Sequence, residues 1–283
     1  MSDVVTRTPC LGHYGTTLYE PKPPEGTDLA TWPITGACAA SHEFMKVLGF
    51  VPLFTNYYPT LGRQWIFRRG ERGVDADYIE KDEFSSWIAG PAPALAAPRV
   101  GDTVFRLPVR GLAHWKEVLR PYVREPAWAP GGGSSGNLVI GPDDQWYELT
   151  ESSDEAVENR VISIWTATAD VDRIAADYVK YFGMHLVEHD ANFHGVGRAA
   201  VLRRDDPAVT IQLVRCAAVE PRWSSPDGGS PQADIFLQVG YPHFRLGAKD
   251  KDAVREVAET VFPDTGDVSY VMFHHAYLEL VDC

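Results

Sequence analysis

The stretch "DDQWYEL" at residues 143–149 recurs as "HHAYLEL" at 274–280: two polar residues, an aromatic segment, then Glu-Leu. Each closes one half of a 283-residue chain, and a repeat of this kind means that one folding unit has been used more than once. The length suits two domains of roughly 130 to 150 residues, each large enough to bury its own core.

Upstream of the first ending, "LGHYGTTLY" alternates like a strand, a Pro-rich insert follows, and "ACAASHEFMKVLGF" has helical spacing and stops near Gly49. Strand patterns "VPLFTNYY", "RQWIFRRG" and "ADYIEKD" complete a βαβββ module over residues 8–83. Beyond the breaker-rich "GPAPALAAPRVG", the segments "DTVFRLPV", "GLAHWKEVLRPYV" and "NLVIGPDDQWYEL" predict a second module over 101–151. The acidic stretch "TESSDEAVEN" reads as an exposed linker, so the expected boundary divides a first domain, 1–152, from a second, 159–283. A third module follows from "RVISIWTATADVDRIAADYVKYFGM" with strands "HLVEHD", "GRAAVLRRD" and "AVTIQLVRC". The fourth is predicted to start with the strand "ADIFLQV", continue through the helix "KDKDAVREVAETVF" and end in "SYVMFHHAYLELVD".

Composition narrows the function classes. A formal net charge of −13, with no compact Lys/Arg stripe, repels phosphates and argues against nucleic acid partners. No apolar run approaches the roughly 18 residues that span a bilayer, and "MSDVVTRTPCLGHYG" lacks the pattern of an export signal, so the expected location is the cytoplasm. Cys10, Cys38, Cys216 and Cys283 have no CxxC spacing, which speaks against a disulfide framework or a cysteine-built zinc site. The run "GGGSSG" lacks the Lys and following helix of a phosphate-cradling loop, and no GxSxG elbow is present.

"LGHYGTTL", "FMKVLGF", "DVDRIAADYVKYFGM" and "GPDDQWYELTE" together resemble the vicinal oxygen chelate superfamily, which includes glyoxalase I, extradiol dioxygenases, methylmalonyl-CoA epimerase and bleomycin-binding proteins. The resemblance covers nearly the whole chain. It implies an α+β fold of four βαβββ modules paired into two glyoxalase-like domains, with U-shaped mixed β-sheets around a divalent metal. Mapped onto the first domain, the implied ligands are His13, Glu80, Asp102 and Glu148, with Glu80 and Glu148 also able to carry protons. Imidazole and carboxylate donors suit Fe, Mn, Ni or Zn.

Each position also has an ordinary structural reading. His13 could be a packed strand histidine, Glu80 sits in the charged run "EKDE", and Asp102 could cap a turn after Gly101. The second domain offers Ser163, Gln212, Asp234 and Glu279 at the corresponding places, so Glu279 reads as a structural echo of Glu148. His185, His189, His194, His274 and His275 read as solvent-facing or ligand-contacting rather than as a metal cluster.

The leading expectation is a metal-dependent lyase or isomerase that chelates an oxygenated, aromatic small molecule and stabilises an enolate or similar oxyanion. The two-domain length resembles that of extradiol dioxygenases, and this resemblance implies an Fe(II) ring-cleaving dioxygenase as the alternative. A third reading is a metal-free protein that binds a natural product, in which Trp65, Trp146, Tyr147 and Trp165 line a groove. A homodimer is compatible with the sequence.

Overall fold

The computed structural model describes residues 13–19, 36–58, 62–69, 75–81, 88–89, 100–124, 137–153, 161–166, 170–193, 197–205, 208–215, 237–238, 242–264 and 268–282. Strand β1 (His13–Tyr19), helix α1 (Gly36–Val47) and strands β2 (Val51–Tyr58), β3 (Gly62–Arg68) and β4 (Asp75–Lys81) form the expected first module. After the short β5 (Ile88–Ala89) come β6 (Thr103–Val109), α2 (Leu112–Leu119), β7 (Leu138–Ile140) and β8 (Trp146–Glu151). Here the described run is βαββ, with a single bridge between Arg124 and Ile140 where another strand was expected. The third run is β9 (Val161–Thr166), α3 (Val171–Phe182), β10 (His185–Phe193), β11 (Gly197–Asp205) and β12 (Ala208–Arg215).

The fourth run departs from expectation at its start. Within "ADIFLQV" the described strand is only β13 (Leu237–Gln238), which pairs with β5. The opening strand is instead β14 (Pro242–Ala248), followed by α4 (Lys251–Val257), β15 (Thr260–Val261), β16 (Ser269–Phe273) and β17 (Ala276–Asp282). Helix α4 is also shorter than its apolar spacing suggests, because Ala258 turns extended (φ −68°, ψ 147°) and the chain enters β15.

The sheets do not divide the chain at the acidic linker. An eight-stranded sheet runs β15-β16-β17-β14-β1-β4-β3-β2, and a seven-stranded sheet runs β10-β11-β12-β9-β6-β8-β7. The first module therefore joins the fourth through antiparallel β1 and β14, and the second joins the third through antiparallel β6 and β9. The expected split into 1–152 and 159–283 is corrected accordingly: both expected halves contribute strands to both sheets.

One core cluster draws on all four helices and on both sheets. Phe44 and Leu48 of α1, Leu119 of α2, Tyr178 and Phe182 of α3 and Val254 of α4 meet Phe244, Leu278 and Leu280 of the larger sheet and Phe105, Leu107, Tyr147 and Leu149 of the smaller. Ring contacts bridge the layers, with Phe44 on Tyr147 at 4.9 Å and Tyr178 on Phe273 at 5.7 Å. The helices thus cover one side of each sheet, and strand alternation leaves the other side for a different set of residues. In β14 and β17 that set is His243, Arg245, Tyr277 and Glu279; in β6 and β8 it is Val104, Arg106, Trp146 and Glu148.

The helix starts repeat the duplication with variation. Asp170 and Asp250 accept the backbone N–H groups of Arg173 and Ala253, as N-cap carboxylates do. Helix α2 has Gly111 at its N-cap with no side chain to offer, and the carboxylate of Glu151 accepts the N–H groups of Gly111 and Leu112 at 2.8 and 2.7 Å. Those two bonds hold the Glu151 carboxyl below its ordinary pKa. Among the described residues no helix is long and apolar enough to cross a membrane.

Candidate functional site

The tripeptide Phe-Arg-Leu occurs at 105–107 in β6 and again at 244–246 in β14, in both cases leading into a helix. Parallel pairing sets Arg106 opposite Glu148 and Arg245 opposite Glu279, so the two Glu-Leu endings take up the same place in the two sheets. Each glutamate meets its arginine: Arg106 Nε lies 2.7 Å from Glu148 Oε2, and Arg245 Nη2 lies 2.9 Å from Glu279 Oε2. The repeated ending is one half of a duplicated ion pair on the side of each sheet away from the helices.

The halves differ one residue before the tripeptide. The eight-stranded sheet has His243, fully buried, with Nε2 3.5 Å from Glu279 Oε1. Tyr277 meets the imidazole edge-on at 6.1 Å and packs in turn against Phe262 and Tyr270. The seven-stranded sheet has Val104 in that place. There Val104, Leu138, Ile140, Trp146, Ala199 and Val214 form a separate apolar cluster, and Arg106 Nη1 donates to Gln212 Oε1 at 2.5 Å.

The expected site residues sort differently from the sequence reading. Asp102 is buried but cannot share an ion with Glu148: Arg106 is the partner of Glu148, and Asp102 lies four residues earlier, about 13 Å along an extended strand. Glu148 is buried on its arginine with no imidazole beside it among the described contacts. Glu80 is the backbone partner of Leu18 and Arg63. It is therefore one residue out of step with the row that runs Ile66, Asp77, Gly15, His243 across the sheet. His13 is in step, because one residue beyond the Tyr14–Phe244 pair it comes level with Arg245. The side chains of His13, Asp77 and Glu80 lie outside the described residues, as does Asp234 entirely.

The aromatic groove predicted from Trp65, Trp146, Tyr147 and Trp165 does not form as one surface. Tyr147 is on the helix side, where its hydroxyl donates to Asp143 at 2.5 Å and its ring meets Phe44 and Phe105. Trp65 also faces a helix, edge-on to His42 of α1 at 4.9 Å. Only Trp146 takes its place in the cluster on the far side. Trp165 is the backbone partner of Val214 in that cluster, with its side chain outside the described residues. Of the other histidines, His274 places Nε2 2.9 Å from the accepting Oδ2 of Asp177 on α3, His189 lies in a surface group with Asp172 and Arg198, and His194 lies outside the described residues.

Donor chemistry separates the two halves as metal sites. Ligands about 2.1 Å from a tetrahedral ion stand roughly 3.4 Å apart, so the 3.5 Å between His243 Nε2 and Glu279 Oε1 fits a shared divalent cation. Further ligands would come from β1 and β4, the strands that complete the same rows. Among the described residues no group of three or more His, Cys, Asp and Glu comes together. In the other half Val104 stands in the place of His243, and Glu148 has the Arg106 guanidinium as its partner with no imidazole among the described contacts, so that pair does not make a cation site. His243 was missed because Gly240 and Pro242 mark its segment as a turn; the doubled Phe-Arg-Leu is the signal that locates it.

No protein-family model matches the sequence, and no curated protein matches it. Among solved structures, glyoxalase I from Zea mays superimposes with a TM-score of 0.57 at 13% identity, over 96% of this chain and 92% of that one. Two point variants of the same maize protein give 0.58 at 15% identity, again over 96% of this chain and 92% and 93% of theirs. At that identity the likeness speaks for architecture, and it agrees with the motifs, the described runs and the paired sheets: the chain has a glyoxalase-like fold.

Proposed function

We propose that the protein is a divalent-metal-dependent enzyme acting on a small oxygenated molecule, with its site on the eight-stranded sheet around His243 and Glu279. The observation that carries this reading is the buried imidazole and carboxylate 3.5 Å apart, on the side of the sheet away from the described helices. His243 and Glu279 would hold the ion, with His13 and Asp77 as the positions on β1 and β4 from which further ligands would come. A bound divalent ion supplies Lewis-acid stabilisation to an oxyanion or enolate at such a site.

The chain's own residues do the rest. Tyr277, backed by Phe262 and Tyr270, flanks the buried imidazole, and burial strengthens the charge interactions inside. Glu279 keeps Oε2 on Arg245 and turns Oε1 toward His243, so Oε1 is the atom it would offer to the ion and, when not so engaged, the atom able to accept and return a proton at the substrate. Proton transfer of this kind suits lyase or isomerase chemistry.

A second reading, ring cleavage by Fe(II), is supported by register. His13, His243 and Glu279 occupy neighbouring rows of one sheet, and two histidines with one carboxylate are the usual ligand set of non-haem iron oxygenases. It predicts iron content and oxygen consumption with a catechol.

Elemental analysis of protein purified without chelators tests the proposal. One metal per chain is expected, falling below about 0.1 in His243→Ala while Glu148→Ala retains it. Metal-free wild-type protein that takes up no Fe, Mn, Ni or Zn would overturn both enzyme readings and leave the metal-free binding protein.

A further inference from the structure

Arg245 sends two N–H groups to one oxygen of Glu279: Nε at 3.1 Å and Nη2 at 2.9 Å, both to Oε2. The other oxygen, Oε1, is the one that faces His243. Burial is graded along this line, with the side chain of Arg245 12% exposed, Glu279 2% and His243 0%. The guanidinium therefore stands at the outer end, between solvent and the carboxylate.

We propose that Arg245 is a positioning residue that sets both the denticity and the affinity of cation binding at Glu279. The proposal rests on the reading of His243 and Glu279 as metal ligands. A carboxylate held at neither oxygen can rotate and offer both to an ion. Pinned through Oε2, Glu279 presents only Oε1. Arg245 also stays protonated at any working pH, so a fixed positive charge sits across the carboxylate from the ion and opposes its binding. Both effects weaken and restrict occupancy.

The second sheet supplies the internal comparison. Arg106 holds Glu148 through the same oxygen, Oε2, in the half where valine replaces the histidine. The arginine is thus part of the duplicated frame, and the imidazole is what turns one copy of that frame toward a cation. This makes Arg245 a tuning element inherited from the frame rather than a ligand.

The test measures binding of Zn(II) and Mn(II) to metal-free protein by competition with a chromogenic chelator, together with the absorption spectrum of the Co(II)-loaded protein. Arg245→Gln is expected to bind each ion at least tenfold tighter, with a Co(II) spectrum shifted toward higher coordination as the second carboxylate oxygen joins. Arg245→Lys keeps the charge but cannot hold Oε2 with two N–H groups, and is expected to show the spectral shift and tightening of at least threefold. It also decides the matter if Arg245→Gln fails to fold. Arg106→Gln is expected to leave the affinity unchanged. If wild type binds metal through His243 yet neither Arg245 variant binds tighter, this inference is overturned while the proposed function stands. If neither wild type nor the variants bind, both fall.

Discussion

The arginine–glutamate pair of the seven-stranded sheet gives a stability prediction that can be worked from its surroundings. Arg106→Met removes the cation from Glu148, whose side chain is 9% exposed, and removes the donor from Gln212 Oε1. Breaking a buried pair from one side costs roughly 3–5 kcal/mol, because a charge is left without compensation. Arg106 itself is 19% exposed, which lets water reach the stranded carboxylate and argues for the lower end, about 3 kcal/mol. At roughly 2–4 °C per kcal/mol for a chain of this size, Tm should fall by about 6–12 °C. The double change Arg106→Met with Glu148→Leu replaces both charges by apolar groups and should recover to within about 1 kcal/mol of wild type. Urea unfolding of the four proteins in a double-mutant cycle reads the coupling directly. If Arg106→Met costs less than about 0.5 kcal/mol, or the double variant is no better than the single, the pair is not buried as described and the reasoning fails.

Other consequences are separately measurable. A Cβ on Gly141 would lie 2.6 Å from Asp143 Oδ1 and 2.8 Å from Tyr147 Cε2, so Gly141→Ala should cost about 2 kcal/mol in chemical denaturation; a neutral change would show that the turn yields freely. Tyr147→Phe removes the hydroxyl that buried Asp143 accepts and should cost roughly 1.5–3 kcal/mol. Burial, against the pull of Asp177, holds His274 below its ordinary pKa, so the unfolded chain takes up that proton first. Stability from this group is complete above the unfolded value and declines as pH falls through it. His274→Gln should therefore flatten the loss of stability as pH falls below about 6.5, and an unchanged slope would rule the group out. Finally, residues 1–152 expressed alone should not give a cooperatively folding monomer, since β1 would lack β14 and β6 would lack β9; a stable monomeric fragment would contradict the observed pairing.

What the sequence disclosed follows physical lines. Strands such as Val51–Tyr58 and Gly197–Asp205 were legible to the residue, because alternation and flanking breakers are local signals. The α3 helix was legible for the same reason, with Asp170 to start it and Gly183, at φ 66°, to stop it. Pairing of modules was not legible, since hydrophobic periodicity says which side of a strand is buried and nothing about which distant strand it joins. That error carried into the site. Pairing Glu148 with His13 put ligands together that stand in different sheets, while His243 was hidden in a segment framed by glycine and proline. The aromatic groove failed on parity alone: Trp146 and Tyr147 are adjacent in a strand and must point to opposite sides.

The joining of β1 to β14 also orders events in time. Residues 13–19 and 242–248 are separated by most of the chain, so closing the larger sheet has a heavy entropic cost that only its long-range contacts return. The smaller sheet needs only residues 103–215, where β6 ends at Val109 and its partner β9 begins at Val161, a much shorter separation than that of β1 and β14. During synthesis that inner sheet can complete first and offer its helix-covered side as a template, on which the outer strands then assemble. A cation held at His243 would consequently be bound at the last step, by a chain whose scaffold is already in place.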